Sequence, residues 1–169
     1  MAAILYAPWR LAYVSSADRR DRSKCVFCEA FGSSDDRATL TLYRGRHSFA
    51  LLNLYPYTTG HAMVAPIQHC EALTDVSVEA LTEIMSVARD LTAALRELYH
   101  PHGFNVGFNL GEAAGAGIEE HLHLHVVPRW RGDANMMTVI GGTRVIPEDL
   151  AVTHERLREA LRRMREVSR

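Results

Sequence analysis

Polar and apolar residues alternate strictly along His121-Leu122-His123-Leu124-His125-Val126-Val127, the period-two pattern of a β-strand. The three imidazoles share one face, while Leu122, Leu124 and Val126 share the other and point into a core. Pro128 is expected to end the strand, because it has no backbone donor for a ladder. The same alternation marks residues 103–110, ending at Asn109, and a hairpin is predicted from residues 39–44 and 47–53 around Arg44-Gly45-Arg46. A further short strand over 60–66 follows the Pro56 and Thr58-Thr59-Gly60 turn and carries His61 near its start. The period becomes helical over 77–99, where Leu81, Ile84, Met85, Ala88, Leu91, Leu95 and Leu98 form one stripe. Ser77 is the expected start and Pro101-His102-Gly103 the stop. A C-terminal helix is predicted over 147–169, with Leu150, Leu157, Leu161 and Met164 on one side. Its other face is rich in arginine and expected to be solvated, with pairs at Glu155 and Arg158 and at Glu159 and Arg163. Residues 1–24 read as an N-terminal arm and loop, and 136–140 as a short apolar stretch.

These elements make an α+β chain, and 169 residues are the length of a single domain with its own core, here 1–169. A hydrophobic fraction of 47%, a charged fraction of 23% and a net charge of -1 leave no basic footprint for nucleic acid or an anionic membrane surface. With no apolar run of membrane-spanning length and no secretory-signal pattern, the expected compartment is the cytoplasm. Three cysteines, two of them close together, suit a reducing compartment and a metal or redox motif rather than a disulfide framework. Cys25-Val26-Phe27-Cys28 is compatible with a zinc half-site, a redox pair or two buried small hydrophobes. A redox pair calls for a strand–helix–strand unit, yet the chain breaks up in Gly32-Ser33-Ser34-Asp35-Asp36. Zinc is therefore the better functional reading, and it needs two more ligands.

Nine histidines are a surplus that the triad helps to explain. At about 3.3 Å per residue its outer imidazoles stand about 13 Å apart, so the three do not converge on one ion without a sharp bend. A purely structural role is a poor account of three in register beside Gly111, Ala113-Ala114-Gly115-Ala116-Gly117, whose amides can approach an anion closely. Phosphate chemistry is favoured: one neutral imidazole attacks phosphorus while its neighbours hold charged oxygens. An unperturbed pKa near 6.5 lets modest surroundings decide which ring does which. His61 joins this site if it faces the triad. His69 and Cys70 follow Pro66 in the loop before the long helix, and His100 and His102 read as exposed end residues.

The triad followed by two apolar residues, with Asn53-Leu54-Tyr55-Pro56, Gly60-His61, Val64-Ala65-Pro66, Asn109 and Ala114-Gly115 in that order, resembles the histidine-triad (HIT) family. Ala7-Pro8-Trp9-Arg10, Pro128-Arg129-Trp130 and Gly132-Asp133-Ala134-Asn135 are similar, more narrowly, to the bacterial and archaeal branch that includes diadenosine tetraphosphate phosphorylases. The resemblance covers almost the whole chain. It implies a HIT-like antiparallel sheet of about five strands with one long helix and a C-terminal helix, and a homodimer, or a larger assembly, with sheets joined edge to edge. It implies that His123 attacks the α-phosphorus of an adenosine polyphosphate, giving a nucleotidyl-histidine that inorganic phosphate or water releases. His125 and His61 would contact the phosphates and fix the His123 ring, whose other nitrogen a strand carbonyl would orient. Asn53 would sit at the ribose, and Asn109 with Gly115, Ala116 and Gly117 would hold non-bridging oxygens. The resemblance also implies a structural zinc on Cys25, Cys28, His69 and His121, with Cys70 as a rival ligand. The family commonly carries Gln or a hydroxyl residue just before the triad; Ala116 and Gly117 stand there instead, followed by Glu119 and Glu120. Three readings result: phosphorolysis of diadenosine tetraphosphate to ATP and ADP, hydrolysis of dinucleoside polyphosphates or AMP conjugates, or a nucleotide-binding module without turnover.

Overall fold

The computed structural model describes residues 25–133 and 146–167, so the predicted arm and the 136–140 stretch lie outside the described residues. The alternating segments form strands β1 (Thr41–Arg44), β2 (Ser48–Leu52), β3 (Ala62–Pro66), β4 (Gly103–Phe108) and β5 (Leu124–Arg129). They make one antiparallel sheet in the order β1-β2-β3-β5-β4. Among the described residues three helices join it: α1 (Val26–Gly32), α2 (Val78–Tyr99) and α3 (Leu150–Val167).

The limits of α2 follow the predicted signals. Ser77 caps it by accepting from the Ala80 amide at 3.2 Å, and His100 ends it in the left-handed region at φ 47°. Ile84, Val87, Ala88, Leu91, Ala94 and Leu95 are its buried stripe. Met85 is not part of that stripe: it sits about 100° around the helix from Ile84 and is 53% exposed. The stripe packs with Leu157, Ala160 and Leu161 of α3 against Ala50, Leu52, Ala62, Val64, Leu124 and Val126 of the sheet. Each large aliphatic chain buried there contributes about 1.5–3 kcal/mol.

The arginine-rich side of α3 is tied down more than the helix pattern alone implies. Arg158 reaches Asp36 at 2.9 Å, Arg163 reaches Glu97 at 3.0 Å and Arg165 reaches Asp90 at 2.7 Å. Asp90 is only 5% exposed, so Arg165 offsets the cost of a buried carboxylate. Of the two expected pairs within the helix, Glu159 and Arg163 meet at 3.9 Å, whereas Glu155 turns to Arg37 at 3.1 Å.

The second face of the sheet is covered over half its width. Phe27 and Ala30 of α1 lie on Phe49, Leu51, Met63 and Ala65 of β2 and β3. Beyond them β5 and β4 carry His125 beside Gly107, Val127 beside Asn105 and Arg129 beside Gly103, and among the described residues no helix covers that half. The triad therefore lies where the covered half meets the bare one.

Strand β5 starts three residues later than the alternation predicts and passes through Pro128 to Arg129. Its pairing with β3 ends at Val126, and beyond that point Thr58 Oγ1 donates to the Pro128 carbonyl at 2.8 Å. The side of β5 on which Pro128 lacks a donor is thus the side where the ladder has already stopped, which is why proline is tolerated. His121, Leu122 and His123 precede the ladder, and their chain is held by the Leu122 amide donating to the Cys70 carbonyl at 2.7 Å.

Candidate active site and metal centre

Cys25 immediately precedes α1 and Cys28 lies in its first turn, a short helix that the broken sequence after the cysteines does not announce. The ligand atoms of Cys25, Cys28, His69 and His121 all lie within 4.8 Å of one another. Cys25 Sγ is 3.2 Å and Cys28 Sγ 3.6 Å from His121 Nδ1, and Cys28 Sγ is 3.4 Å from His69 Nδ1. Tetrahedral zinc, with bonds of about 2.3 Å to sulfur and 2.0–2.1 Å to nitrogen, needs sulfur–nitrogen edges of about 3.5 Å. His121 Nε2 donates to the Pro66 carbonyl at 2.9 Å, which leaves the Nδ1 lone pair aimed at the cysteines. Burial and the neighbouring Cys25 push the Cys28 thiol up to about 11; a divalent cation reverses that preference by taking the thiolate as a ligand. Two thiolate sulfurs and two imidazole nitrogens in a closed set thus fit zinc. Cys70 does not belong to it, being buried in a separate cluster with Val76, Ala80 and Leu122.

The backbone of His121 serves the next histidine. His123 Nδ1 donates to the His121 carbonyl at 2.8 Å, so the lone pair is on Nε2. Phe27, between the two cysteines and fully buried, lays its ring 4.8 Å from the His123 ring and 5.1 Å from that of His121. His123 is 6% exposed, and this burial holds its pKa below the usual imidazole value, with the carbonyl bond opposing in part. The ring is therefore neutral at pH 7, with its lone pair on Nε2.

His61 and His125 form the complementary half. His61 Nδ1 accepts from the Tyr57 amide at 3.1 Å, which puts its proton on Nε2, and that atom lies 3.0 Å from His125 Nδ1. His125 is thereby an acceptor at Nδ1, and as a neutral ring it carries its proton on Nε2. Burial, followed by the neighbouring His123, pushes the His125 pKa down to about 4. The His123 and His125 rings meet edge to face at 4.8 Å. One lone pair and one N–H donor are thus held side by side. The turn that delivers His61 requires glycine: Gly60 has φ +78°, and a Cβ there would come 2.5 Å from Leu95.

A cleft of about 380 Å³ opens beside this pair on the bare half of the sheet, lined by Tyr57, Asn105, Asn109, His125, Val127 and Arg129 among others. Asn109 lies on the wall of this cleft. Asn53 stands at the end of β2, and its Oδ1 accepts from the Tyr55 amide at 2.9 Å. The small-residue loop is closed on itself. The amides of Ala114, Gly115 and Ala116 donate to carbonyls of the same turn, and Gly115, Ala116 and Gly117 are not among the residues lining the cleft. Glu119 and Glu120 are exposed, as are His100 and His102.

Phe27, Tyr57 and the Pro66 carbonyl escape sequence reasoning. An apolar residue between cysteines and a tyrosine in a turn read as packing, and backbone groups that fix a tautomer have no residue signature.

Residues 36–132 match the family model described as the HIT domain. The chain is 42% identical over 159 residues to an AP-4-A phosphorylase of Mycobacterium tuberculosis, covering 90% of this chain and 81% of that protein. It is 29% identical over 129 residues to the adenosine 5'-monophosphoramidase HNT1 of Saccharomyces cerevisiae, covering 76% and 77%. A zinc-bound histidine triad family protein from Mycobacterium smegmatis shares the fold with a TM-score of 0.69 at 31% identity, covering 86% of this chain and 99% of that one. The chain belongs to the histidine-triad family. The likeness to the AP-4-A phosphorylase extends over nine-tenths of the sequence.

Proposed function

We propose that this protein is a nucleotidyltransferase that cleaves diadenosine tetraphosphate by phosphorolysis, giving ATP and ADP. The observation that carries this reading is the pairing, in adjacent rings, of a lone pair on His123 Nε2 with an N–H on His125 Nε2, both rings neutral at pH 7. His123 Nε2 attacks the α-phosphorus of one adenosine; the phosphorus–nitrogen bond forms and the bond to the bridging oxygen breaks. ATP leaves as an anion, and the hydrogen bond from His125 Nε2 stabilises the charge growing on the departing oxygen without a full proton transfer. The nucleotidylated ring carries a positive charge that the His121 carbonyl stabilises through Nδ1–H. An oxygen of inorganic phosphate then attacks the same phosphorus, the bond to His123 breaks, and ADP departs. Asn109 serves as a donor to non-bridging oxygens from the cleft, with Asn53 at the ribose. The 115–117 loop joins them only if its turn rearranges.

Cys25, Cys28, His69 and His121 hold a structural zinc, which supplies no chemistry at phosphorus and anchors α1 and the His121 backbone. The likeness to the phosphorylase at 42% identity and to the zinc-bound neighbour supports both parts of the reading. Hydrolysis is the second reading, favoured by the turn-bound amides of the loop, which offer no ready cradle for phosphate as acceptor. The uncharged outer strand β4, with exposed Asn105, Val106 and Gly107, is the edge through which a homodimer pairs. Among the described residues no helix is long and apolar enough to cross a membrane; the unbridged cysteines suit the cytoplasm.

Product analysis with and without inorganic phosphate tests the reaction. Phosphorolysis gives ATP and ADP only when phosphate is present, whereas hydrolysis gives ATP and AMP in either case. No product in both conditions would leave the chain a nucleotide-binding module.

A further inference from the structure

The tautomers assigned above also give the cleft a direction. Attack and departure are roughly in line, so the group that leaves departs on the side opposite the attacking His123 nitrogen, and the proposed hydrogen bond from His125 Nε2 to the departing oxygen puts that group at the His125 end of the cleft. The cleft begins at His125 and runs along β5 past Val127 to Arg129. At its far end Arg129 is locked in place. Its Nε and one Nη engage Asp133 at 2.5 and 3.1 Å, and its other Nη donates to Asn105 Oδ1 at 2.7 Å. Among the described residues these bonds use three of its five N–H groups, leaving one on each terminal nitrogen. Among the described residues lining the cleft Arg129 is also the one Lys or Arg, and a fork with fixed orientation loses little freedom when it binds.

We infer that Arg129, held by Asp133 and Asn105, is a specificity subsite for a distal phosphate of the leaving group. This rests on the proposed cleavage of an adenosine polyphosphate at the phosphorus facing His123. From His125 to Arg129 is four residues of extended strand, about 13 Å, a span suited to a chain of several phosphates and out of reach of a single one. The subsite therefore selects substrates by the length of what lies beyond the scissile bond. Because Asp133 already balances much of its charge, Arg129 contributes directed hydrogen bonds more than bulk attraction, so chain length and position matter more than total charge.

The test compares wild type with R129Q on three compounds: diadenosine tetraphosphate, adenosine tetraphosphate, which lacks the second nucleoside, and AMP as an inhibitor that fills only the attacked-phosphate position. Loss of a charge-assisted hydrogen bond predicts a fall of about 10- to 100-fold in kcat/KM for both long substrates, carried by KM, with the AMP inhibition constant unchanged within about twofold. N105A, which leaves the Asp133 contact intact, should show the same selectivity with a smaller factor. An AMP constant that worsens in step with KM would mean a merely structural arginine, and a loss confined to diadenosine tetraphosphate would mean that it reads the second nucleoside; either overturns the inference, as does an unchanged KM. If the wild type turns over neither long compound, the catalytic reading fails, and calorimetric affinities for the long compounds and AMP read the same contrast. Binding of neither would overturn the subsite as well.

Discussion

Replacing Phe27 with leucine separates a catalytic arrangement from ordinary core packing. The ring is fully buried and lies 4.8 Å from His123, 5.1 Å from His121 and 6.4 Å from Phe49. Ring–ring contacts of this kind contribute about 0.5–1.5 kcal/mol each beyond simple burial, so losing three while keeping an aliphatic chain of similar reach costs about 2–3 kcal/mol of stability. The same ring also shields His123: with it gone, water is expected to reach that ring and the carbonyl bond from His121 to compete with solvent. The expected outcome is a folded F27L protein that still holds its metal, with kcat down about tenfold or more and KM changed little. Urea denaturation gives the stability term, metal analysis the integrity of the cysteine site, and steady-state kinetics the rest. If F27L loses the predicted stability yet keeps full kcat, Phe27 is core and the link between the metal-anchored helix and the nucleophile is wrong.

The pH dependence of stability has a definite sign at His125. Its folded value of about 4 lies below the unfolded value near 6.5, so between them the unfolded chain takes up a proton that the folded one refuses, and stability falls as pH drops through that window. The full shift corresponds to at most about 3 kcal/mol, reduced to about 2 kcal/mol by the ring's partial exposure; urea titrations at pH 7 and pH 5 should show wild type losing about 1–2 kcal/mol more than H125Q, and equal losses would count against the buried neutral ring. Metal affinity should rise with pH because the cysteine thiols must lose protons on binding, by up to about a hundredfold per pH unit for two protons. A chelator competition that gives a flat profile would contradict ligation by Cys25 and Cys28. G60A should cost about 2–4 kcal/mol, from the left-handed backbone and the Leu95 overlap together, and should lower kcat by displacing His61; a stable, fully active G60A would refute the requirement for glycine there.

Strong periodicity made much of this molecule legible in sequence. The α2 stripe, the hairpin of β1 and β2, and the alternation of β4 and β5 each follow from spacing, and Ser77 and His100 cap the long helix near the predicted limits. The metal set of Cys25, Cys28, His69 and His121 came from the family resemblance rather than from spacing, yet the four converge. What spacing does not show is where a strand leaves its ladder. His121 is drawn toward Pro66 and the cysteines, so β5 starts late, and Pro128 is absorbed because its neighbour strand has ended. Composition predicts an anion cradle in the small-residue loop, and that the amides of Ala114, Gly115 and Ala116 close a local turn is a choice composition does not encode. Likewise Met85 fits the helical pattern by type while lying off the buried stripe.

The central claim is that His123 becomes covalently nucleotidylated while its neighbours do not. Rapid mixing of the protein with diadenosine tetraphosphate in the absence of phosphate, quenching without acid and mapping peptides by mass spectrometry measures this directly. The account predicts one AMP group on His123 that disappears when phosphate is added, with ADP released in equal amount. Product formation with no labelled protein, or a label on His61 or His125, would contradict it.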